Sequence, residues 1–364
     1  MLANDMGTSI PARGGTTMGR LSALKLCAGL RVASRKALAA GGRSLAVLSV
    51  LLSLIVVAPR PAAAQDPIKV VATTAMIADA ARAVGGMAVE VVSLMGPGID
   101  PHSYRQTRSD IVKLTQADMV LWNGFYLEAQ LQDLLTSLAA RKPGSVVAVA
   151  EFVPAERRLP DDEFPNRYDP HVWMDPDLWS LVVSGIERVL QRVRPEAADQ
   201  FAANAGAYRA ELAALQQYAA EVLGTVPLER RLLVTAHDAF GYFGRAYGFE
   251  VVGIQGLSTE SEAGVARIRE LVDLIVERRI AAVFVEASVS DRNMRAVIEG
   301  AAARGHNVRI GAELFSDSMG EPGTYEGSYV GMIDHNVSVI AAALGGRPPL
   351  AGRLGRLAPT MIAQ

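Results

Sequence analysis

The sequence predicts an α/β protein with largely parallel sheets, and three observations carry that expectation. Apolar, β-branched runs alternate with segments of helical length, the pattern of repeated βαβ units. The chain has 364 residues, too many for one ordinary core and suited to two lobes. Between the two sets of strands lies a long segment whose apolar residues recur at helical spacing.

In the first lobe, placed at residues 65–194, strands are expected at Ile68–Ala72, Val89–Leu94, Met119–Trp122 and Val146–Val149. Helices are expected near Ala75–Val84, Ser109–Gln116 and Leu127–Ala140. The second lobe, 225–345, repeats the rhythm with strands at Leu232–Thr235, Val251–Ile254, Ala282–Val285 and Val308–Ile310. Its helices fall near Phe240–Tyr247, Ala263–Arg278, Asp291–Arg304 and Tyr329–Ala343. In the segment between, 195–224, Phe201, Ala205, Tyr208, Leu212, Leu215, Ala219 and Val222 are spaced by fours and threes. That is an amphipathic helix held for three heptads. Pro195 suits its first position, and Glu196 and Asp199 suit its positive end. Such a helix makes a rod about 42 Å long and reads as a rigid strut between lobes. Residues 154–168 form a charged loop, and the tail 346–364, rich in Gly, Pro and Arg, receives no role.

Residues 1–64 read as an export signal. Eight Lys and Arg stand there against one acid, Asp5, seven of them ahead of an apolar run from Leu45 to Ala58. Ala62-Ala63-Ala64 then offers a small-residue cleavage site before Gln65. The run is short against the roughly 20 apolar residues of a spanning helix, so a soluble periplasmic product is expected, with no stable membrane insertion. A mitochondrial presequence shares the Arg-rich, acid-poor character but not the apolar block. The long basic stretch also allows a later start, at Met18. The only cysteine, Cys27, precedes the apolar block and is badly placed for lipidation of the product. Without the leader no thiol remains, which excludes disulfides, zinc ribbons and cysteine nucleophiles. The leader holds eight of the 36 basic and one of the 38 acidic residues, leaving 28 against 37, a net charge of −9. That is a poor footprint for nucleic acid or anionic lipid.

The chemistry rests on histidines. Asp100-Pro101-His102 follows the second strand, and Asp169-Pro170-His171 repeats the tripeptide. His237 follows the strand Leu232–Thr235 of the second lobe. Loops beyond the carboxyl ends of parallel strands form the ligand crevice, and imidazole is the commonest metal ligand. Each histidine alone fits a loop side chain bonded to a backbone carbonyl; together they point to a shared metal site. A fourth ligand is expected from the second lobe, with Asp317 the best candidate. Glu286, at the end of a strand, is a second candidate or an outer acceptor that orients an imidazole. His306 and His335 read as structural. Metalloprotease, Walker, serine-hydrolase and dinucleotide motifs are absent.

These residues resemble the TroA-type (cluster A-I) metal solute-binding proteins of bacterial ABC importers for manganese and zinc. The resemblance runs from about residue 68 to 345. It rests on Gly96-Pro-Gly-Ile-Asp-Pro-His102 with Tyr104 and Ser109-Asp-Ile111, on Ala117-Asp118 to Asn123-Gly124, and on Asp169 to Pro176. It continues through Thr235 to Phe243 with Tyr247-Gly248, Gln255 to Glu260, Leu314 to Ser318 and Asn336. It implies two Rossmann-like lobes joined by one long helix, with a divalent metal between them held by His102, His171, His237 and Asp317. It also implies a monomer that serves a membrane permease and a cytoplasmic ATPase. Many zinc-dedicated members carry a His-rich loop where Pro154–Tyr168 has no histidine, which argues against that branch.

Three imidazoles and one carboxylate satisfy a Zn²⁺ tetrahedron, and a bidentate Asp317 would suit Mn²⁺; Fe²⁺ is a further candidate. The expected function is high-affinity metal binding and delivery, without catalysis. The rivals are a metal-dependent hydrolase and a surface adhesin on the same fold.

Overall fold

The computed structural model describes residues 66–161 and 164–358; the leader lies outside them. Four strands, β1 (Ile68–Ala72), β2 (Val89–Ser93), β3 (Met119–Trp122) and β4 (Val146–Ala148), form a parallel sheet in the order β2-β1-β3-β4. The register sets Ile68 beside Val89, Val70 beside Met119 and Val120 beside Val146. In the second half β5 (Leu232–Thr235) pairs with β6 (Glu250–Gly253), and β7 (Ala282–Glu286) with β8 (Arg309–Leu314). Both pairs are parallel, β5 lies against β7, and the β7–β8 register shifts between Val283 and Phe284, where Gly311 of β8 is the extra residue. The parallel α/β expectation therefore holds. β8 extends four residues past its expected end at Ile310, so Asp317 sits three residues beyond the strand.

The helices are α1 (Ala75–Gly85), α2 (Arg108–Gln116), α3 (Gln132–Arg141), α4 (Pro176–Val193), α5 (Ala198–Gly224), α6 (Gly241–Tyr247), α7 (Val265–Glu277), α8 (Arg292–Ala303) and α9 (Tyr329–Ala343). Local chemistry fixes several starts. Thr107 caps α2 with a reciprocal bond to Asp110, the capping box. Ser328 accepts from the Gly331 amide to begin α9.

α4, 18 residues long, is absent from the sequence expectation. Its start coincides with Met174-Asp175-Pro176, read there only as part of a ligand loop. Asp175 is its N-cap, accepting from the Asp177 amide at 2.9 Å, and Pro176 takes the first helical position. Leu178, Val182, Ile186, Val189 and Leu190 then fall on one buried face.

The two lobes share their principal core. One apolar cluster runs through β1 and α1, across α4 and α5, and into α6 and α9. Smaller clusters lie beneath the second-half sheet and behind β3. α5 brings this about, because all seven of its stripe residues are buried and it packs on α1 and α4 as well as α9. It is a central post shared by both halves. Asp79 of α1 adds a polar tie, accepting from Tyr208 of α5 at 2.9 Å and from the Tyr329 amide at 3.3 Å. Burial raises the Asp79 pKa, a shift that the bond from Tyr208 opposes.

The tail is docked rather than loose over its described part. Leu357 is buried in the main cluster, and the Arg353 amide donates to both oxygens of the buried Asp334 of α9. Among the described residues no helix is long and apolar enough to cross a membrane.

Candidate metal centre

His102, His171, His237 and Asp317 meet in one buried spot, with one ligand atom of each lying within 4.8 Å of all the others. Their loops leave the carboxyl ends of strands in both halves, the crevice that parallel sheets offer. His102 Nε2 stands 3.3 Å from His171 Nε2. Asp317 reaches all three rings: Oδ2 is 3.1 Å from His237 Nε2 and 3.7 Å from His102 Nε2, and Oδ1 is 3.5 Å from His171 Nε2. A tetrahedral ion with bonds of about 2.0–2.2 Å sets its ligands roughly 3.3–3.6 Å apart. The spacings of His102 with His171, and of Asp317 with each of the three rings, lie at 3.1–3.7 Å, near that shell.

The two Asp-Pro-His elements share one device and then diverge. In each, the aspartate accepts from the histidine amide two residues on, at 2.9 Å. Asp169 Oδ1 also bonds His171 Nδ1 at 2.7 Å, which fixes that ring. Asp100 instead turns Oδ2 to Ser103 and, across the cleft, to the Thr259 hydroxyl at 2.6 Å. Glu286 takes the orienting position for His237: one oxygen accepts from the His237 amide and the other lies 2.6 Å from Nδ1. Asp169, Asp100 and Thr259 went unassigned in the sequence. The repetition of Asp two residues before His was the available signal for the first two. His306 and His335 lie elsewhere, with Nε2 on the Ile280 and Glu313 carbonyls, in keeping with structural roles.

Trp173 bridges the halves at this level. Its indole donates to the Ser316 carbonyl at 2.8 Å, and its own carbonyl accepts from Tyr329 at 2.8 Å. Its ring stands edge-on to His171, with centroids 5.3 Å apart. Gly253, at the end of β6, is held against the His237 loop. A Cβ there would meet the Asp238 nitrogen at 2.6 Å and the His237 carbonyl carbon at 2.8 Å. Gly253→Ala should therefore displace His237 and weaken metal binding about tenfold or more, an effect like that of disturbing outer-shell partners. Competition with a chelating dye would show it, and unchanged affinity would remove this packing from the argument.

Burial and neighbouring charge act in opposite senses on His102 and His237. Burial pushes His102 down to about 3, against the pull of Asp317. Burial also opposes charge on His237, but Glu286 and Asp317 overcome it and hold its pKa well above the ordinary value. Burial would raise Asp317; the His237 charge reverses this and keeps the carboxylate ionised. The raised pKa of His237 favours its protonated form in the metal-free protein, and an ion bound through Nε2 would have to displace that proton. Proton and ion compete for one atom, so affinity should rise about tenfold per pH unit below the His237 pKa and level off above it. Calorimetry at neutral pH in buffers of different ionisation heat should find a proton released on metal binding, and a His237→Ala variant should release less. No release by the parent protein would contradict the assignment.

A family model described as ZnuA, zinc-uptake complex component A, periplasmic, matches residues 70–343. The manganese-binding lipoprotein MntA of Bacillus subtilis (strain 168) is 47% identical over 281 residues, spanning 77% of this chain and 91% of its own. The zinc-binding protein TroA of Treponema pallidum (strain Nichols) is 45% identical over 285 residues, spanning 78% and 91%. The solved structure of the periplasmic zinc-binding protein TroA from Treponema pallidum matches with a TM-score of 0.74 and 44% identity. It covers 77% of this chain and 99% of that one.

Proposed function

Because the chain belongs to the ZnuA family of periplasmic metal-uptake components, we propose that His102, His171, His237 and Asp317 hold the one divalent ion it carries to an ABC-type importer. One observation supports this above the rest: four buried donors, drawn from both halves, converge at the spacing of a single coordination shell. Zn²⁺ and Mn²⁺ are the candidate cargoes. The Irving–Williams order makes isolated protein hold Zn²⁺ at least as tightly as Mn²⁺. The partners are an inner-membrane permease and its ATPase. The carrier works as a periplasmic monomer, after cleavage of the leader near Ala64-Gln65.

The hydrolase reading is the weaker one. Catalysis needs an open coordination position and a placed base, and Asp317 as a fourth protein donor closes the shell. Ester turnover by the metal-loaded protein would reverse that judgement.

Metal-free protein titrated against a competing chelator should bind one equivalent of Zn²⁺ or Mn²⁺ with a Kd below about 1 μM. Elemental analysis of protein from its native compartment under metal limitation should identify the cargo. Binding no tighter than about 1 mM, or loading at several sites, would overturn the proposal.

A further inference from the structure

We infer that Asn336 is a positioning residue that sets which ion the centre prefers, acting through the backbone that carries Asp317. The inference rests on the metal-binding reading above and deepens it. His171 and His237 have orienting carboxylates in Asp169 and Glu286. Asp317 has no comparable partner. Among the described residues both its oxygens are buried and, the three imidazoles apart, meet no hydrogen-bond donor. The direction of its carboxylate is therefore decided by where the main chain puts it.

That main chain is tied at each of the four carbonyls before the ligand. The Glu313 carbonyl accepts from His335 Nε2 at 2.9 Å, and the Leu314 carbonyl from the Ala287 amide at 2.9 Å. The Phe315 carbonyl accepts from Asn336 Nδ2 at 2.7 Å, and the Ser316 carbonyl from the Trp173 indole at 2.8 Å. These donors come from α9, from the loop after β7 and from the first half of the molecule. Asn336 does more than the other three, because its Oδ1 also accepts from the Phe315 amide at 3.0 Å. One side-chain amide thus grips both backbone groups of the residue two before the ligand, just past the end of β8. Only an amide carries the donor and the acceptor that this grip needs; a carboxylate lacks the donor. Asn336 is 1% exposed, so solvent does not share the task.

The clamp controls how much of the carboxylate faces the ion. With the turn held, Oδ2 lies 3.1 Å from His237 Nε2 and Oδ1 lies 3.5 Å from His171 Nε2, so both oxygens are turned into the centre. Three imidazoles and one oxygen already complete the tetrahedron that Zn²⁺ takes, whereas Mn²⁺ favours more oxygen donors and gains from the second. Without Asn336 the turn can relax until Asp317 offers one oxygen. That loss falls on Mn²⁺ more than on Zn²⁺, and a residue that never touches the ion acts on specificity.

The test is competition titration of Zn²⁺ and Mn²⁺ against a chelator, on the parent and on Asn336→Ala, with circular dichroism as the check on folding. Mn²⁺ affinity should fall about tenfold or more, as on loss of an outer-shell partner, and Zn²⁺ affinity about threefold or less. Trp173→Phe removes the neighbouring bond to the Ser316 carbonyl and should shift the balance the same way; it carries the test if the alanine variant does not fold. Leu212→Ala, a core truncation in α5, should lower stability without moving the ratio of the two affinities. Co²⁺ bound in place of either ion supplies a spectroscopic readout, since its visible band strengthens as coordination falls from five to four. The band should be stronger in the Asn336→Ala variant than in the parent. Equal losses for both ions, or an unchanged Co²⁺ spectrum, overturn the inference. Undiminished binding by Asp317→Ala would instead overturn the ligand assignment beneath it.

Discussion

Asp317→Ala should weaken divalent-metal binding by about 10²–10⁴-fold while the protein still folds, the range that 3–5 kcal/mol for removing one partner of a buried charge pair implies. Among the described residues Asp317 is the only anion that faces all three Nε2 atoms, and outside those imidazoles its oxygens have no hydrogen-bond donor there. Its loss removes the charge that attracts the ion and leaves three rings to hold a dication. Asp317→Asn, which keeps an oxygen donor but not the charge, should recover part of the loss. Competition titration measures both, with circular dichroism as the check on folding. An alanine variant within tenfold of the parent would mean that the carboxylate is not a ligand.

The second large effect concerns stability. Trp179 of α4 is fully buried and stacks on Tyr329 of α9, with centroids 5.5 Å apart and planes 18° from parallel. Trp179→Ala opens a cavity between the two halves and should cost about 3–5 kcal/mol, lowering Tm by roughly 10 °C. Trp179→Phe should cost less than about 1.5 kcal/mol, because the indole nitrogen has no partner to lose. Thermal denaturation of the two variants side by side tests the stack. Equal losses would shift the explanation from ring volume to the nitrogen.

Most of the framework was legible because its signals are local. β1, β3, β5 and α9 fall on their expected residues, since period and β-branching are written within each segment. Likewise all seven stripe residues of α5 are buried. α4 was hidden because its cap, Asp175-Pro176, doubles as the close of the second Asp-Pro-His element. The four converging side chains were legible from residue type and from their places after strands. The opposite pKa shifts of His102 and His237 were not, because they depend on which carboxylate each ring meets: Glu286 backs His237, whereas Asp100 turns toward Ser103 and Thr259. Nor does any single helix reveal that the apolar interior is continuous. That follows only once α5 is seen with partners on both sides.

Trp173, pinned between the two halves and edge-on to His171, is an emitter mounted beside the proposed metal site. Its ultraviolet fluorescence offers a label-free signal of loading. A paramagnetic ion such as Mn²⁺ should dim it, whereas the closed-shell Zn²⁺ has no such channel, so arrival and identity can be followed in one cuvette.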